Sequence, residues 1–317
     1  MYRNNKILLD TSDVINIFNE KLRHMLDKNF YFGLDSRLSE VLRENMYEKL
    51  VSIFTSLMKN IDFSNNIFLI KNANIDLLEH SINTAVYSGI IASFMNLPNS
   101  NIKNTIMGGA LHDIGKIFEE EAFGLKNTVF FDEDDESIYT HVLRGKQHID
   151  SFSDISEDAK KIILEHHEHY DGSGHPNGID FENISLLSRI VAIANVYDAM
   201  NNKNGENGIF APYDSVEYIM AYSGTMFDYD IVKVFFKKII PYPIGTLVRL
   251  SDGRVGVVER IPDGFLFRPV IKIVKQLDTR IIMEEVSLMD NPSITVKAIL
   301  EKTPNPSVQS YLKHGFN

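Results

Sequence analysis

Histidine and carboxylate side chains are concentrated in one short segment, ILEHHEHYDGSGHP, at residues 163–176. Four histidines fall within ten positions there, which is denser than the composition of a solvated loop predicts. The adjacent pair His166 and His167, at a predicted helix end, can supply nitrogen ligands to one or two metal ions. The alternative is a polar helix terminus, where histidines favour the negative end of the dipole. Gly172 and Gly174 suit a backbone that turns sharply and approaches a ligand closely.

Further side chains of metal-ligand type lie outside this segment. Asp76 and His80 are four residues apart, so a helix would project both from one face. His112 and Asp113 are adjacent within the apolar stretch ALHDIGKIF, a pattern that by itself also fits a hydrogen-bonded core pair. His141 is unremarkable alone. Taken together, His, Asp and Glu residues on four or five helices are how a bundle builds a multinuclear metal centre.

Apolar residues at helical spacing predict the elements that would carry these side chains. The predicted helices cover residues 11–29, 35–59, 75–95, 102–118, 156–167 and 184–200. Asp35 or Ser36 would cap the second helix, and Ser156 the fifth. The second helix carries an apolar stripe that we interpret as a core face, the alternative being a partner-binding or dimer helix. The stripe consists of Leu38, Val41, Leu42, Met46, Leu50, Ile53, Phe54 and Leu57.

After Pro241 the helical pattern gives way to short β-branched runs. They predict strands at residues 246–250, 255–260, 267–274 and 280–285, with an Asp-Gly hairpin signal at Asp252-Gly253. The segment 201–208, rich in Asn, Lys and Gly, is predicted to be an exposed loop. The fold class is therefore mainly α, with a small C-terminal β extension.

Composition narrows the classes of function. The 317 residues are 44% hydrophobic and 24% charged, which is typical of a globular protein. The chain has 32 Lys and Arg residues and 43 Asp and Glu residues, which gives a net charge of −11. This charge argues against a nucleic-acid polymer or an anionic membrane as partner. The absence of cysteine excludes disulfides, iron–sulfur clusters and thiolate zinc sites. We find no run long enough to predict a membrane span, and we expect a cytoplasmic protein.

Three motifs in order carry a family resemblance: HDIGK at 112–116, HHEHYDGSGHP at 166–176 and RIVAIANVYDAM at 189–200. Together they resemble the HD-GYP domain, a variant of the HD phosphohydrolases. The resemblance covers residues 71–240 and implies an HD-type helical bundle as catalytic domain. Residues 1–70 would then form an N-terminal helical region of unknown role. Residues 241–317 look like the small β-rich extension that follows this domain in many members.

HD-GYP proteins are typically phosphodiesterases that open cyclic di-GMP to linear pGpG and onward to GMP, using two or three iron or manganese ions. Asp113 would bridge metals, and a hydroxide held between them would be the nucleophile, because divalent cations lower the pKa of bound water. Lys116 would hold a phosphate oxygen and stabilise the charge that develops on it. The metals would also let an acidic protein bind a dianionic dinucleotide. By position, the implied metal ligands are His80, His112, Asp113, His141, His166 and His167, with Asp76 where some members have a glutamate.

The chain departs from the family pattern at three places. Asn195 stands where the family has an aspartate ligand, and its amide oxygen brings no negative charge, so we expect that metal to bind weakly or to be missing. After Met200 the family's basic substrate-binding residues are absent, and within residues 201–214 only Lys203 offers a positive charge. His175 replaces the tyrosine of the Gly-Tyr-Pro signature, a change we expect to matter little for catalysis.

These departures leave alternatives to the phosphodiesterase open. One is a catalytically impaired HD-GYP protein that acts as a cyclic dinucleotide sensor or regulatory binding protein. Another is a phosphohydrolase of the wider HD group that acts on a different phosphoester. A homodimer through the N-terminal helices is a further expectation about partners.

Overall fold

A helical body of ten helices and a C-terminal antiparallel sheet make up the described part of the chain. The structure is a computed structural model, and it describes residues 11–33, 36–118, 136–201, 212–277 and 280–300. The helices are α1 (Thr11–Lys28), α2 (Ser36–Met58), α3 (Ile61–Ala73), α4 (Ile75–Phe94), α5 (Asn99–Leu111), α6 (Glu136–Ile149), α7 (Glu157–Glu165), α8 (Leu186–Asn201), α9 (Pro212–Ala221) and α10 (Tyr229–Phe236). Short 3-10 helices lie at Ile114–Phe118 and at Phe181–Asn183. The strands are β1 (Leu247–Leu250), β2 (Val255–Arg260), β3 (Val270–Leu277), β4 (Arg280–Ser287) and β5 (Val296–Ile299).

Local capping chemistry explains where several helices begin. Ser156 accepts a hydrogen bond from the Ala159 N–H at the start of α7, as predicted. Asn74 separates α3 from α4, and its side chain accepts the N–H groups of Asp76 and Leu77. The predicted helices therefore match α1, α2, α4, α7 and α8 within a few residues. No separate helix was predicted at α3, α6, α9 or α10.

The prediction of one helix over residues 102–118 is wrong in its second half. Helix α5 ends at Leu111, and the chain continues through a turn into 3-10 helix. The reason is tertiary, because Gly115 packs against the backbone of α6 so closely that an added Cβ would lie 1.8 Å from the His141 carbonyl oxygen. A continuous α-helix is replaced by a tighter turn at this close approach.

Helix α4 lies at the centre of the helical body, in contact with α1, α3, α5 and α8. It is buried over most of its length, from Leu77 to Ala92, which accounts for its lack of a polar face. The same hydrophobic core extends from Val14 to Ile239. In α1 and α2, Phe18 stacks on Phe54 with ring centroids 3.9 Å apart. The N-terminal helices thus share the core of the site-bearing helices, and the division at residue 70 stays a prediction.

The stripe on α2 is a core face only in its C-terminal half. Leu50, Phe54 and Leu57 are buried, whereas Leu38, Val41 and Leu42 are 58%, 55% and 43% exposed. The core-face interpretation is wrong for these first three residues, because helical spacing shows that side chains share a face but not what covers that face.

The C-terminal sheet has the strand order β4-β3-β2-β1-β5 and a hydrophobic core of its own. The hairpin between β1 and β2 pairs Leu247 with Val257, and Gly253 takes the positive φ of 87° that the predicted turn requires. Strand β5 pairs with β1 and was not predicted. The predicted loop at 201–208 lies almost wholly outside the described residues. Within the described part of the chain, no helix is both long enough and apolar enough to cross a membrane.

Candidate metal centre

Four helices of the helical body, α4, α5, α6 and α7, bring histidines and a carboxylate to one buried point. His80 lies on α4, His112 and Asp113 follow the end of α5, and His141 lies on α6. His166 and His167 follow the end of α7. Helices α5 and α7 end at this point, and α4 and α6 pass beside it. Side chains up to 87 positions apart in the sequence, from His80 to His167, therefore become neighbours.

The Asp113 carboxylate lies at the middle of this cluster and faces histidines with both oxygens. Its Oδ2 lies 3.3 Å from His112 Nε2 and 3.6 Å from His80 Nε2. Its Oδ1 lies 3.2 Å from His141 Nε2 and 3.7 Å from His166 Nε2. One carboxylate is therefore positioned to bridge two sets of nitrogen donors.

We name these two sets by their members. The first ligand group is His80, His112 and Asp113, and the second ligand group is Asp113, His141, His166 and His167. Within each group the candidate ligand atoms all lie within 4.8 Å of one another. Groups of three or four His and Asp donors at this spacing fit a transition-metal ion.

The polar atoms that face the centre test whether a metal fits. His112 Nε2 and Asp113 Oδ1 are buried, and neither has a hydrogen-bond partner among the described residues. A buried polar atom without a partner costs about 1–3 kcal/mol, and more when it is charged. Metal ions would satisfy both atoms, so the donor set fits the ions that the motifs imply.

Hydrogen bonds on the outer side of the rings orient two of the ligands. His112 Nδ1 lies 2.8 Å from the Gly109 carbonyl oxygen, and His166 Nδ1 lies 3.0 Å from that of Ile163. A carbonyl oxygen can only accept, so each Nδ1 carries the proton and each Nε2 presents a lone pair to the centre. This is the usual outer support of a metal-ligating histidine.

His80 is held by two residues of α8. Its Nδ1 lies 2.7 Å from Asp198 Oδ2, and its Nε2 lies 3.0 Å from Asn195 Oδ1. Burial by itself lowers the pKa of His80, but the hydrogen bond and charge of Asp198, with the charge of Asp113, outweigh it and raise the pKa. The amide oxygen of Asn195 therefore borders the first ligand group, and Asp198 supports it from behind.

Burial acts differently on three other rings of the centre. Burial lowers the pKa of His112 to about 4 and lowers those of His141 and His167. For Asp113, burial is outweighed by interactions with His112 and Lys116, and its pKa is held well below the usual range. At neutral pH these pKa shifts favour an ionised Asp113 beside neutral rings at His112, His141 and His167, which is the protonation state that metal binding needs.

The remaining predicted site residues have different positions. Lys116 Nζ donates to Asp113 Oδ2 at 2.7 Å, and its side chain is 32% exposed, so it lies at the open side of the centre. Asp76 is exposed in the first turn of α4 and belongs to neither ligand group. Lys203 lies outside the described residues.

Sequence reasoning missed residues that position the ligand segments. Glu165 accepts hydrogen bonds from the Ser185 N–H and the Ser188 hydroxyl, which joins the end of α7 to the start of α8. Glu168 accepts the N–H groups of Asn177 and Ile179 and so folds the following loop back. Both carboxylates are buried, and their place beside the two histidines is a signal that could have indicated such roles.

Comparison with known proteins identifies the family. The model of the HD domain matches residues 57–231, which is more than half of the chain. The chain belongs to the HD domain family. This confirms the family prediction made from the three ordered motifs, and both ligand groups lie within the matched residues.

Curated relatives in the HD domain family extend the comparison. A cyclic di-GMP phosphodiesterase of Pseudomonas aeruginosa is 27% identical over 240 residues, which cover 75% of this chain and 58% of the relative. The cyclic di-GMP phosphodiesterase PdeB of Borreliella burgdorferi is 26% identical over 227 residues, covering 70% and 59%. A 3'3'-cGAMP-specific phosphodiesterase of Vibrio cholerae is 25% identical over 224 residues, covering 67% and 43%. The matched part of this HD domain chain thus spans less than two thirds of each relative.

Among solved structures, the HDG"Y"P protein of Bdellovibrio bacteriovorus matches 73% of this chain and 72% of its own. The two are 14% identical, with a TM-score of 0.46. At that TM-score the likeness supports no argument about fold or function.

Proposed function

We propose that the protein is a metal-dependent cyclic dinucleotide phosphodiesterase that hydrolyses cyclic di-GMP to pGpG, to GMP or to both. The observation that carries the proposal is the buried Asp113 carboxylate, with one oxygen facing His80 and His112 and the other facing His141 and His166. A shared carboxylate between two histidine groups fits a pair of ions that together clamp a phosphodiester.

The ions we propose are two or three divalent iron or manganese ions. The first ligand group would hold one with help from Asn195, and the second ligand group would hold another. Five imidazoles with a single carboxylate favour transition metals over Mg²⁺ and Ca²⁺, which prefer oxygen ligands. Ions bound here would polarise a phosphate oxygen and lower the pKa of coordinated water.

The protein's own residues supply positioning and charge. The outer hydrogen bonds of His112 and His166 hold their Nε2 atoms toward the centre. Lys116 is anchored by Asp113 yet partly exposed, so its Nζ can reach a phosphate oxygen at the open side and stabilise developing negative charge. A single carboxylate does not neutralise two dications, and this local excess of positive charge would attract a dianionic substrate despite the net charge of −11.

The choice of substrate is supported by the names of the relatives. Two of those described above are cyclic di-GMP phosphodiesterases, and a third acts on 3'3'-cGAMP. All three names specify a cyclic dinucleotide. They therefore support this class of substrate more strongly than they support a particular combination of the two bases. We choose cyclic di-GMP because it is the substrate named for two of these three relatives.

An anaerobic hydrolysis assay tests the proposal. Protein stripped with a chelator is reloaded with Fe²⁺ or Mn²⁺, its metal content is measured, and cyclic di-GMP is added before pGpG and GMP are separated. We expect product from the loaded protein, none from the stripped protein and none from His112→Ala. The matched control is His24→Ala, which changes an exposed histidine of α1 and should retain activity. Fully loaded protein that binds cyclic di-GMP without product would instead favour the sensor.

We also propose a cytoplasmic homodimer that uses helix α2. The exposed apolar residues Leu38, Val41 and Leu42 support this interface, since together they form an apolar patch at one end of the helix. Sedimentation of the native protein and of Leu42→Glu measures the effect. We expect a dimer that dissociates in the variant, and a native monomer at micromolar concentration would contradict the interface.

A further inference from the structure

A contact between helix α6 and the loop after α7 involves none of the ligand side chains. The Tyr139 phenol oxygen lies 2.8 Å from His175 Nε2, which is a hydrogen bond, and the two ring centroids are 4.2 Å apart. Tyr139 lies two residues before His141 on α6. His175 lies eight residues after His167, at the position of the signature tyrosine. We call this pair the Tyr139–His175 clamp.

The loop that carries His175 is folded tightly onto the ligand segment. The His175 N–H donates to the His167 carbonyl oxygen at 2.9 Å. Gly174 lies so close to the backbone of this segment that an added Cβ would be 2.0 Å from the backbone nitrogen of His169. A backbone hydrogen bond therefore connects the residue that carries the His175 side chain directly to His167.

The clamp joins the two segments that supply the second ligand group. His141 comes from α6, whereas His166 and His167 come from the end of α7, and His141 Nε2 lies 3.4 Å from His166 Nε2. The ring of His141 also lies 5.1 Å from that of His167. Donor atoms must be held within about 0.5 Å of the productive geometry for a metal site to bind well.

We infer that Tyr139 and His175 are positioning residues that hold α6 and the His166–His167 segment together and so raise the metal affinity of the second ligand group. The inference rests on the proposed function, because it assumes that this group binds an ion. A metal ion binds only chains in which both segments are in place, so any substitution that lets them separate lowers the apparent affinity by linkage. Neither residue needs to touch the metal or the substrate for this effect.

The test is the affinity of chelator-stripped protein for Mn²⁺. It is measured by calorimetry and, independently, from the electron paramagnetic resonance signal of free Mn²⁺. A net hydrogen bond contributes about 0.5–1.5 kcal/mol, so Tyr139→Phe and His175→Leu should each weaken one ion by roughly two- to tenfold. His175→Gln keeps a side-chain hydrogen-bonding group and should bind nearly as tightly as the native protein. The matched control is Tyr229→Phe, which removes the hydroxyl of an exposed tyrosine on α10.

A double-mutant cycle separates positioning from general stability. The Tyr139→Phe/His175→Leu protein should bind no more weakly than the weaker single variant, because both changes remove the same contact. In a His141→Ala background, Tyr139→Phe should have no further effect on the remaining ion. A purely structural role would lower the melting temperature of metal-free protein without changing either dissociation constant, and this result would overturn the inference.

The outcomes distinguish the inference from the function on which it rests. Native protein that binds two ions, with unchanged affinity in Tyr139→Phe and His175→Leu, would refute the clamp and leave the metal centre intact. Native protein that binds no Mn²⁺ and no Fe²⁺ would refute the proposed metal centre and the clamp with it.

Discussion

Replacing Asp198 with asparagine tests how strongly a residue that contacts a ligand, without being a ligand itself, affects metal affinity at the first ligand group. Asp198 Oδ2 lies 2.7 Å from His80 Nδ1, and the two side chains are only 7% and 14% exposed. A hydrogen bond to a charged acceptor contributes about 1.5–3 kcal/mol, and a neutral one about 0.5–1.5 kcal/mol. Asp198→Asn should therefore make the free energy of metal binding less favourable by about 1–1.5 kcal/mol, which is roughly a five- to tenfold loss in metal affinity.

Asp198→Ala removes the hydrogen bond altogether and should weaken the same ion by roughly ten- to a hundredfold, the usual range for an outer partner of a metal ligand. The assay is Mn²⁺ titration of stripped protein at pH 8. A high pH is needed because Asp198 raises the pKa of His80, so the native ring holds its proton, which competes with the metal ion, more tightly than usual. The ion held by His141, His166 and His167 should keep its affinity.

The control for this series is Asp230→Asn, which changes an exposed carboxylate in the first turn of α10. Dissociation constants that stay the same in both Asp198 variants would refute the reasoning. They would show that the Asp198–His80 hydrogen bond serves packing between α4 and α8 and does not orient a ligand.

Four further changes test other parts of the centre. Asn195→Asp adds a charge beside His80 and should tighten one ion by at least roughly tenfold; if hydrolysis does not rise with metal content, the absent substrate contacts limit turnover instead. Lys116→Ala should lower the rate by roughly a hundredfold at unchanged metal content, since one charge-stabilising donor is lost, and loss of metal would show a structural role. Gly115→Ala should lower the free energy of unfolding by roughly 1–3 kcal/mol in urea titrations, since the new Cβ would meet the α6 backbone, and a native urea midpoint would contradict that close approach. The free energy of unfolding of the metal-free protein should fall by roughly 2 kcal/mol between pH 7 and pH 5. The reason is that the pKa of His112 is lowered to about 4 in the folded protein, so the unfolded chain takes up a proton first as the pH falls. An unchanged urea midpoint would argue against a buried neutral His112 ring.

Much of the helical body could be predicted because its signals are local. The Ser156 cap and the apolar run of α8 depend on residues within a few positions, and both were predicted near their observed bounds. The short helices α9 and α10 and the strand β5 were missed. Strand β5 is only four residues long, and it is defined by pairing with β1, about fifty positions away.

The break after α5 shows a limit of local reasoning at the centre itself. The residues after Leu111 continue a helical pattern, yet the helix ends there because Gly115 lies against α6. This break, together with the end of α7, directs Asp113 and His166 toward the same point. No periodicity within either segment contains that information.

The sequence by itself determined which residue types this protein can use in chemistry: ten histidines, no cysteine and three ordered motifs that belong to a known family. Those features depend on residue identity and spacing, which the chain carries whatever its fold. Only the tertiary structure decided that Asp113 lies between two histidine groups, that Asp198 and Asn195 both face His80, and that Asp76 stays at the surface. The physical reason is that distances between side chains on different helices follow from how the core packs, and packing is a property of all the helices together.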